Sequence, residues 1–165
     1  MDKEEFCDAY ITWFPENEER YREHKREFPH ILLHVFSVFA INIPMAEAYA
    51  GKDHAEFEKF CSFIEYVWRK ADDEVLNVLD TTVLEGISEN LPMWTAFGNC
   101  IHEDFRTYIN TVLIRQNVMM SDVPPLCKSA RKGWNILRED SKESCLCTHL
   151  RVSFRCILLM ICKIG

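Results

Sequence analysis

The stretch ADDEVLNVLDTTVLEGIS, residues 71–88, decides between a catalyst and a helical scaffold. It opens on three acids, Asp72, Asp73 and Glu74, and a fourth, Asp80, follows one to two helical turns later. Acids at such spacing can hold a metal ion. They also start helices, because a short carboxylate accepts the orphan backbone N–H groups of the first turn and further acids complement the positive end of the helix dipole. The apolar residues settle the choice. Leu76, Leu79, Val83 and Ile87 recur at spacings of three and four, and Val75, Val78 and Leu84 widen the stripe. A metal centre needs ligands converging from other elements, and no Glu-x-x-His pair stands nearby. The acids therefore read as the cap of an amphipathic helix, and the width of its stripe predicts neighbours on more than one side.

The same pattern extends outward. In DHAEFEKFCSFIEYVWRK, residues 53–70, apolar side chains fall at Phe57, Phe60, Cys61, Ile64, Val67 and Trp68. Asp53 stands before them as an N-cap with Glu56 at capping-box spacing, and Arg69 and Lys70 close the pattern where the dipole favours cations. Residues 98–116 repeat it with Ile101, Phe105, Tyr108, Ile109 and Val112. Residues 3–13 and 16–28 read as shorter helices separated at Pro15, and residues 30–50 as an apolar helix broken or kinked around Pro44. No stretch shows convincing period-two alternation. The expected fold is all-α: a helical bundle, or a short α-solenoid-like array, of about six or seven helices. Residues 1–120 form the helical domain and 121–165 a C-terminal extension, set off by Pro124 and Pro125.

Charge and cysteine content narrow the function. The chain has 165 residues and a formal net charge of −7. Residues 142–165 hold Lys142, Arg151, Arg155 and Lys163 against Glu143, a local +3, which leaves −10 on the remainder. An acidic body argues against nucleic-acid binding, which needs a basic footprint, and favours a basic partner or solubility alone. Eight cysteines without a secretion-type leader in MDKEEFCDAY point to reduced thiols and a cytoplasmic setting. No run of about 18 apolar residues predicts a membrane span. The tail segment CILLMIC is too short for one, and reads as an element docked on the acidic body, with a loosely ordered, membrane-surface or partner-binding segment as the alternatives.

Catalytic constellations are few. HILLH places His30 and His34 at i, i+4, which on a helix puts both imidazoles on one face; zinc would still need a third ligand. CLCTH, residues 145–149, offers Cys145, Cys147 and His149 at the wrong spacing for a zinc knuckle. Cys100 and His102 could form a nucleophile–base pair only if the fold brought the ring onto the thiol. There is no glycine-rich phosphate loop and no nucleophile elbow. No cofactor is expected.

The order of an aromatic and acidic first helix, EFPHILLHVF, FEKFCSFIEYVWRKADDEV and VLDTTVLEGI resembles small all-helical bacterial domains over residues 5–115. Some proteins of that kind are immunity proteins, which neutralise a toxin passed between neighbouring cells. The resemblance implies a non-catalytic protein that occludes a basic toxin, plausibly a nuclease, and supplies no catalytic residue. Interfaces favour aromatic anchors with charged rims. The contact residues expected on that basis are Glu16, Glu18, Glu19, Asp72, Asp73, Glu89, Trp94, Glu103 and Asp104, with the helix starts at Asp72–Asp73 and Glu103–Asp104 foremost. The alternatives are a metal-binding or hydrolytic bundle built on His30 and His34, and a helical scaffold for some other partner.

Overall fold

The computed structural model describes residues 1–28, 30–115 and 126, which form seven helices and no strand. They are α1 (Lys3–Trp13), α2 (Glu18–Glu27), α3 (Leu33–Gly51), α4 (His54–Lys70), α5 (73–88), α6 (Leu91–Cys100) and α7 (Glu103–Arg115). A tight turn at Pro15–Asn17 joins the first two. Capping follows the acids in the sequence. Asp2 and Glu5 form a complete capping box on α1. Asp53 accepts from Glu56 N–H at 3.1 Å, and Asp72 from Val75 N–H at 2.9 Å. The acids of residues 72–74 do start a helix. Its stripe is buried at Val75, Val78, Leu79, Val83, Leu84 and Ile87, with Leu76 half-buried.

α1 packs on α2, on α4 and on α5, and α3 packs on both α4 and α5. In a solenoid each repeat touches only its neighbours, so these contacts between elements distant in sequence make the fold a bundle. Two aromatic clusters fill it. Phe6, Tyr10 and Phe14 of α1 and its end meet Phe36 of α3 and Phe60 and Phe63 of α4. Trp68 of α4 stacks on Phe105 at 4.7 Å, and Phe105 meets Phe97 edge to face. α3 is long and apolar enough to cross a membrane by composition, with a mean hydropathy of 1.2 over its best window, yet 50% of that window is buried among the other helices.

Both long central helices widen into a π-helical turn, α3 at Val38–Asn42 and α5 at Leu79–Val83. The first has a cause in the sequence. Pro44 has no N–H to give Ala40, and an α-helix would drive its ring into that carbonyl. The chain instead closes from Ile43 N–H to Val38 C=O, one residue wider. The expected break at Pro44 is therefore a bulge in a continuous helix. The two π turns touch each other. Asn42 donates to the Thr82 carbonyl at 2.9 Å, and His34 Nδ1 lies 2.6 Å from Thr82 Oγ1.

Gly86 is what lets Asn42 approach, since a Cβ there would sit 2.0 Å from Asn42 Nδ2. Alanine in a helix gains about 1 kcal/mol over glycine. Displacing Asn42 from Thr82 costs about 1–3 kcal/mol for an unmet hydrogen bond. Gly86→Ala is expected to destabilise by about 1 kcal/mol in the wild type and to stabilise by about 0.5–1 kcal/mol in an Asn42→Ala background. A double-mutant cycle of unfolding free energies reads the sign change.

Three boundaries differ from the sequence expectation. α2 begins at Glu18 rather than 16, after the turn at Pro15. α3 begins at Leu33, so His30 lies ahead of the helix and does not share a face with His34. The pattern over 98–116 is two helices broken at Ile101 and His102, with Ile101 buried at the corner. The break is sealed by Arg106, whose buried guanidinium donates to the Gly98 carbonyl at 2.9 Å and to the Ile101 carbonyl. Leu126 is buried, packs against Gly98, and is bracketed on both backbone sides by the Asn110 amide. The rest of the expected extension at 121–165, with its cysteines, CLCTH and CILLMIC, lies outside the described residues.

Candidate functional site

A cleft of about 360 Å³ opens between α2 and the π turn of α3. Tyr10 of α1 and Phe36, Ala40 and Ile43 of α3 form its apolar wall. Glu23, His24 and Glu27 come from α2, and Phe28 from the residue that ends it. Phe39 stands at the edge and is 50% exposed, although Phe36, Val38, Ala40 and Ile41 around it are all turned into the core. A half-exposed phenylalanine is an apolar surface without cover, and π turns recur at functional sites.

His24 is 8% exposed, its ring against Phe28 at 4.9 Å and Phe36 at 5.5 Å. Its Nε2 is closed off from solvent with no hydrogen-bond partner among the described residues. Burial disfavours the imidazolium and holds the His24 pKa below its ordinary value, with Glu27 opposing only in part. The imidazole is thus kept neutral, and the charge at the cleft is that of Glu23 and Glu27, spaced one helical turn apart on α2.

The acids expected to make contacts are exposed, but most already hold a partner within the fold. Glu16 meets Lys59 at 3.1 Å, Glu18 meets Arg22 at 2.7 Å and Glu19 meets Arg26 at 2.6 Å. Asp72 caps α5, Glu103 lies 4.0 Å from Arg106, and Asp104 pairs with Arg69 at 2.9 Å. Asp73 and Glu89 are exposed and have no ion-pair partner among the described residues. Trp94 corrects the expectation: it is 1% exposed and stacks on Phe97 inside the bundle, so it is a core residue and not a surface anchor. Its apolar face continues the α6 stripe with Met93 and Phe97, which is where a buried reading was available in the sequence.

Elsewhere the buried polar groups tie helices together. Glu65 of α4, 6% exposed, accepts from His102 N–H at 3.1 Å, from the His102 ring at 2.9 Å and from Arg69 at 2.6 Å. Burial works to raise its pKa, but the bonds from His102 and Arg69 outweigh it and hold the carboxyl below the ordinary value. The His102 ring is therefore placed on Glu65. Cys100 instead meets Cys61: burial and this neighbour raise the Cys61 thiol, and the hydrogen bond from Cys61 draws Cys100 down. Asp80, in the second π turn, is raised by burial despite accepting from Tyr108 at 2.8 Å. Among the described residues no three His, Cys, Asp or Glu side chains converge as metal ligands, and His34 is engaged with Thr82.

The cleft residues went unnoticed in the sequence for a physical reason. In EERYREHKRE, residues 18–27, acids and bases alternate so evenly that Glu23 and Glu27 look like any solvated pair. Phe39 lies inside an apolar run whose outward side only the π turn reveals.

An all-α bundle with an aromatic cleft and an acidic rim is the class that fold and site define. Residues 7–117 match the family described as Domain of unknown function (DUF7674), and since the match spans more than half of the chain, the protein belongs to that family. No curated protein and no solved structure matches it.

Proposed function

We propose that this protein is a non-catalytic binding module that engages a basic protein partner along the α2–α3 edge, and that its role is that of an immunity protein occluding a basic toxin. The cleft carries the reading: it joins an exposed aromatic anchor, Phe39, to the carboxylates of Glu23 and Glu27. An aromatic side chain beside charged groups is the composition that protein interfaces favour. The net charge of −7 adds long-range attraction for a basic partner, raising the association rate. Nuclease toxins are basic because they bind phosphate backbones, so such a partner fits the charge.

A photo-reactive phenylalanine analogue at position 39 tests the face. Leu91, 46% exposed, serves as an equally apolar control position. In cells that hold the partner, the expected result is a covalent adduct from position 39 with a protein of high isoelectric point, and none from position 91. Equal adducts from both positions, or an acidic protein captured at 39, would contradict the proposal.

A further inference from the structure

We infer that the cleft is a receptor for one basic side chain of the partner, lysine or arginine, with the apolar stem against Phe28, Phe36 and Phe39 and the cation between Glu23 and Glu27. This rests on the reading of the α2–α3 edge as the binding face.

Several observations meet here. The rings of Phe28, Phe36 and Phe39 line the cleft and offer an apolar surface for the stem of such a side chain. Two carboxylates one turn apart line the same cleft, which repels anions and makes a neutral apolar guest desolvate both charges without return. Among the described side chains, three cations of α2 are committed elsewhere: Arg22 to Glu18 at 2.7 Å, Arg26 to Glu19 at 2.6 Å and Lys25 to the face of Tyr21 at 5.0 Å. His24, buried in the wall, has no partner on Nε2 among the described residues, and burial disfavours a charge there that would compete with the guest. A cleft of about 360 Å³ lies at the small end of ligand sites, in keeping with a single long side chain and not a folded segment. Long basic side chains combine an apolar stem with a charged end, which is the division of surface the cleft presents.

The test uses side-chain analogues and the full chain, with no partner present. n-Butylammonium stands for lysine and n-butylguanidinium for arginine; n-butanol carries the same stem without charge, and butyrate a stem one carbon shorter with a negative charge. Backbone amide shifts are followed by NMR during titration. The expected result is saturable shifts confined to α2, the first half of α3 and the turn of α1 at Tyr10 for both cations, with n-butanol weaker by about fivefold or more and butyrate without effect. The Glu23→Gln/Glu27→Gln protein should lose that preference and bind cation and alcohol alike, and Phe39→Ala should weaken all three. All three substituted positions are exposed, so the variants keep the fold. Alcohol binding equal to the cations in the wild type, shifts scattered over other helices, or no saturable shift would each overturn the inference. The cross-linking result at position 39 is independent of these outcomes, so a partner captured there with no cation preference in the cleft would remove this inference and leave the binding face standing.

Discussion

Phe63→Ala is expected to destabilise the protein by about 3–5 kcal/mol, the largest effect of any single substitution considered. Phe63 is fully buried in α4, and four rings converge on it: Phe6 at 5.9 Å, Tyr10 at 5.8 Å, Trp13 at 5.7 Å and Phe14 at 5.4 Å. Three of these come from α1 itself and Phe14 caps its end, so this one side chain anchors the first helix to the centre of the bundle. Truncation removes the transfer energy of the ring and leaves a cavity that the four surrounding rings, tilted or edge-on to it, cannot fill by small shifts. Each lost edge-to-face pair adds about 0.5–1.5 kcal/mol. Phe63→Leu, which retains most of the volume, should cost less than about 1.5 kcal/mol. Denaturant unfolding measures both. A loss below about 0.5 kcal/mol for the alanine variant is what a surface position shows, and would displace the aromatic core from where it is described.

Glu65→Ala follows, at about 2–3 kcal/mol. The substitution strips His102 N–H, the His102 ring and Arg69 of their common acceptor at the corner where α7 begins. Unmet buried donors cost about 1–3 kcal/mol each, but Arg69 is 47% exposed on its side chain and the His102 ring 79%, so water replaces part of what is lost. The effect depends on pH in a defined sense. The folded-state pKa of Glu65 lies below its ordinary 4.5, so the folded protein keeps the carboxylate where the unfolded chain has taken up a proton. Its contribution is complete above the ordinary glutamate range and is lost as the pH falls through the lowered value. The stability gap between wild type and Glu65→Gln should therefore be widest near neutrality and narrow progressively below about pH 4.5. A gap that widens on acidification would reverse the assignment.

Much of the fold was legible in residues 71–88 and 53–70, because caps and apolar spacing there agree with each other. The N-caps at Asp53 and Asp72 and the buried stripe of α5 follow from local chemistry alone. The break at His102 is legible only in part: the apolar spacing of Ile101, Phe105 and Ile109 runs on across it, while Glu103 and Asp104 give the same helix-start signal as Asp72 and Asp73. The first π turn has a local cause, Pro44, whereas the Asn42 bridge from it to Thr82 of the second is a tertiary contact that local sequence does not contain. The site was less legible. Exposed acids were read as contacts, yet Asp72 and Asp104 are tied to a helix cap and to Arg69. Trp94 was read as an anchor from its residue type, although its place on the α6 stripe buries it. Glu23 and Glu27 matter only because α3 brings Phe36 and Phe39 beside them, a proximity that no window of sequence contains.

The central claim is that a basic partner is drawn to, and held at, the acidic rim of the α2–α3 cleft. Its most direct test is the association rate of the cross-linked partner with the wild type and with Glu23→Lys/Glu27→Lys, measured at low and at high salt. Exposed charges are screened beyond about 8–10 Å at physiological ionic strength, so steering has a salt signature. The account predicts a wild-type rate that falls steeply with salt, and a variant rate that is at least tenfold slower at low salt and nearly independent of it, with an unchanged helical circular dichroism spectrum. Rates that coincide for the two proteins at both salt levels would contradict it.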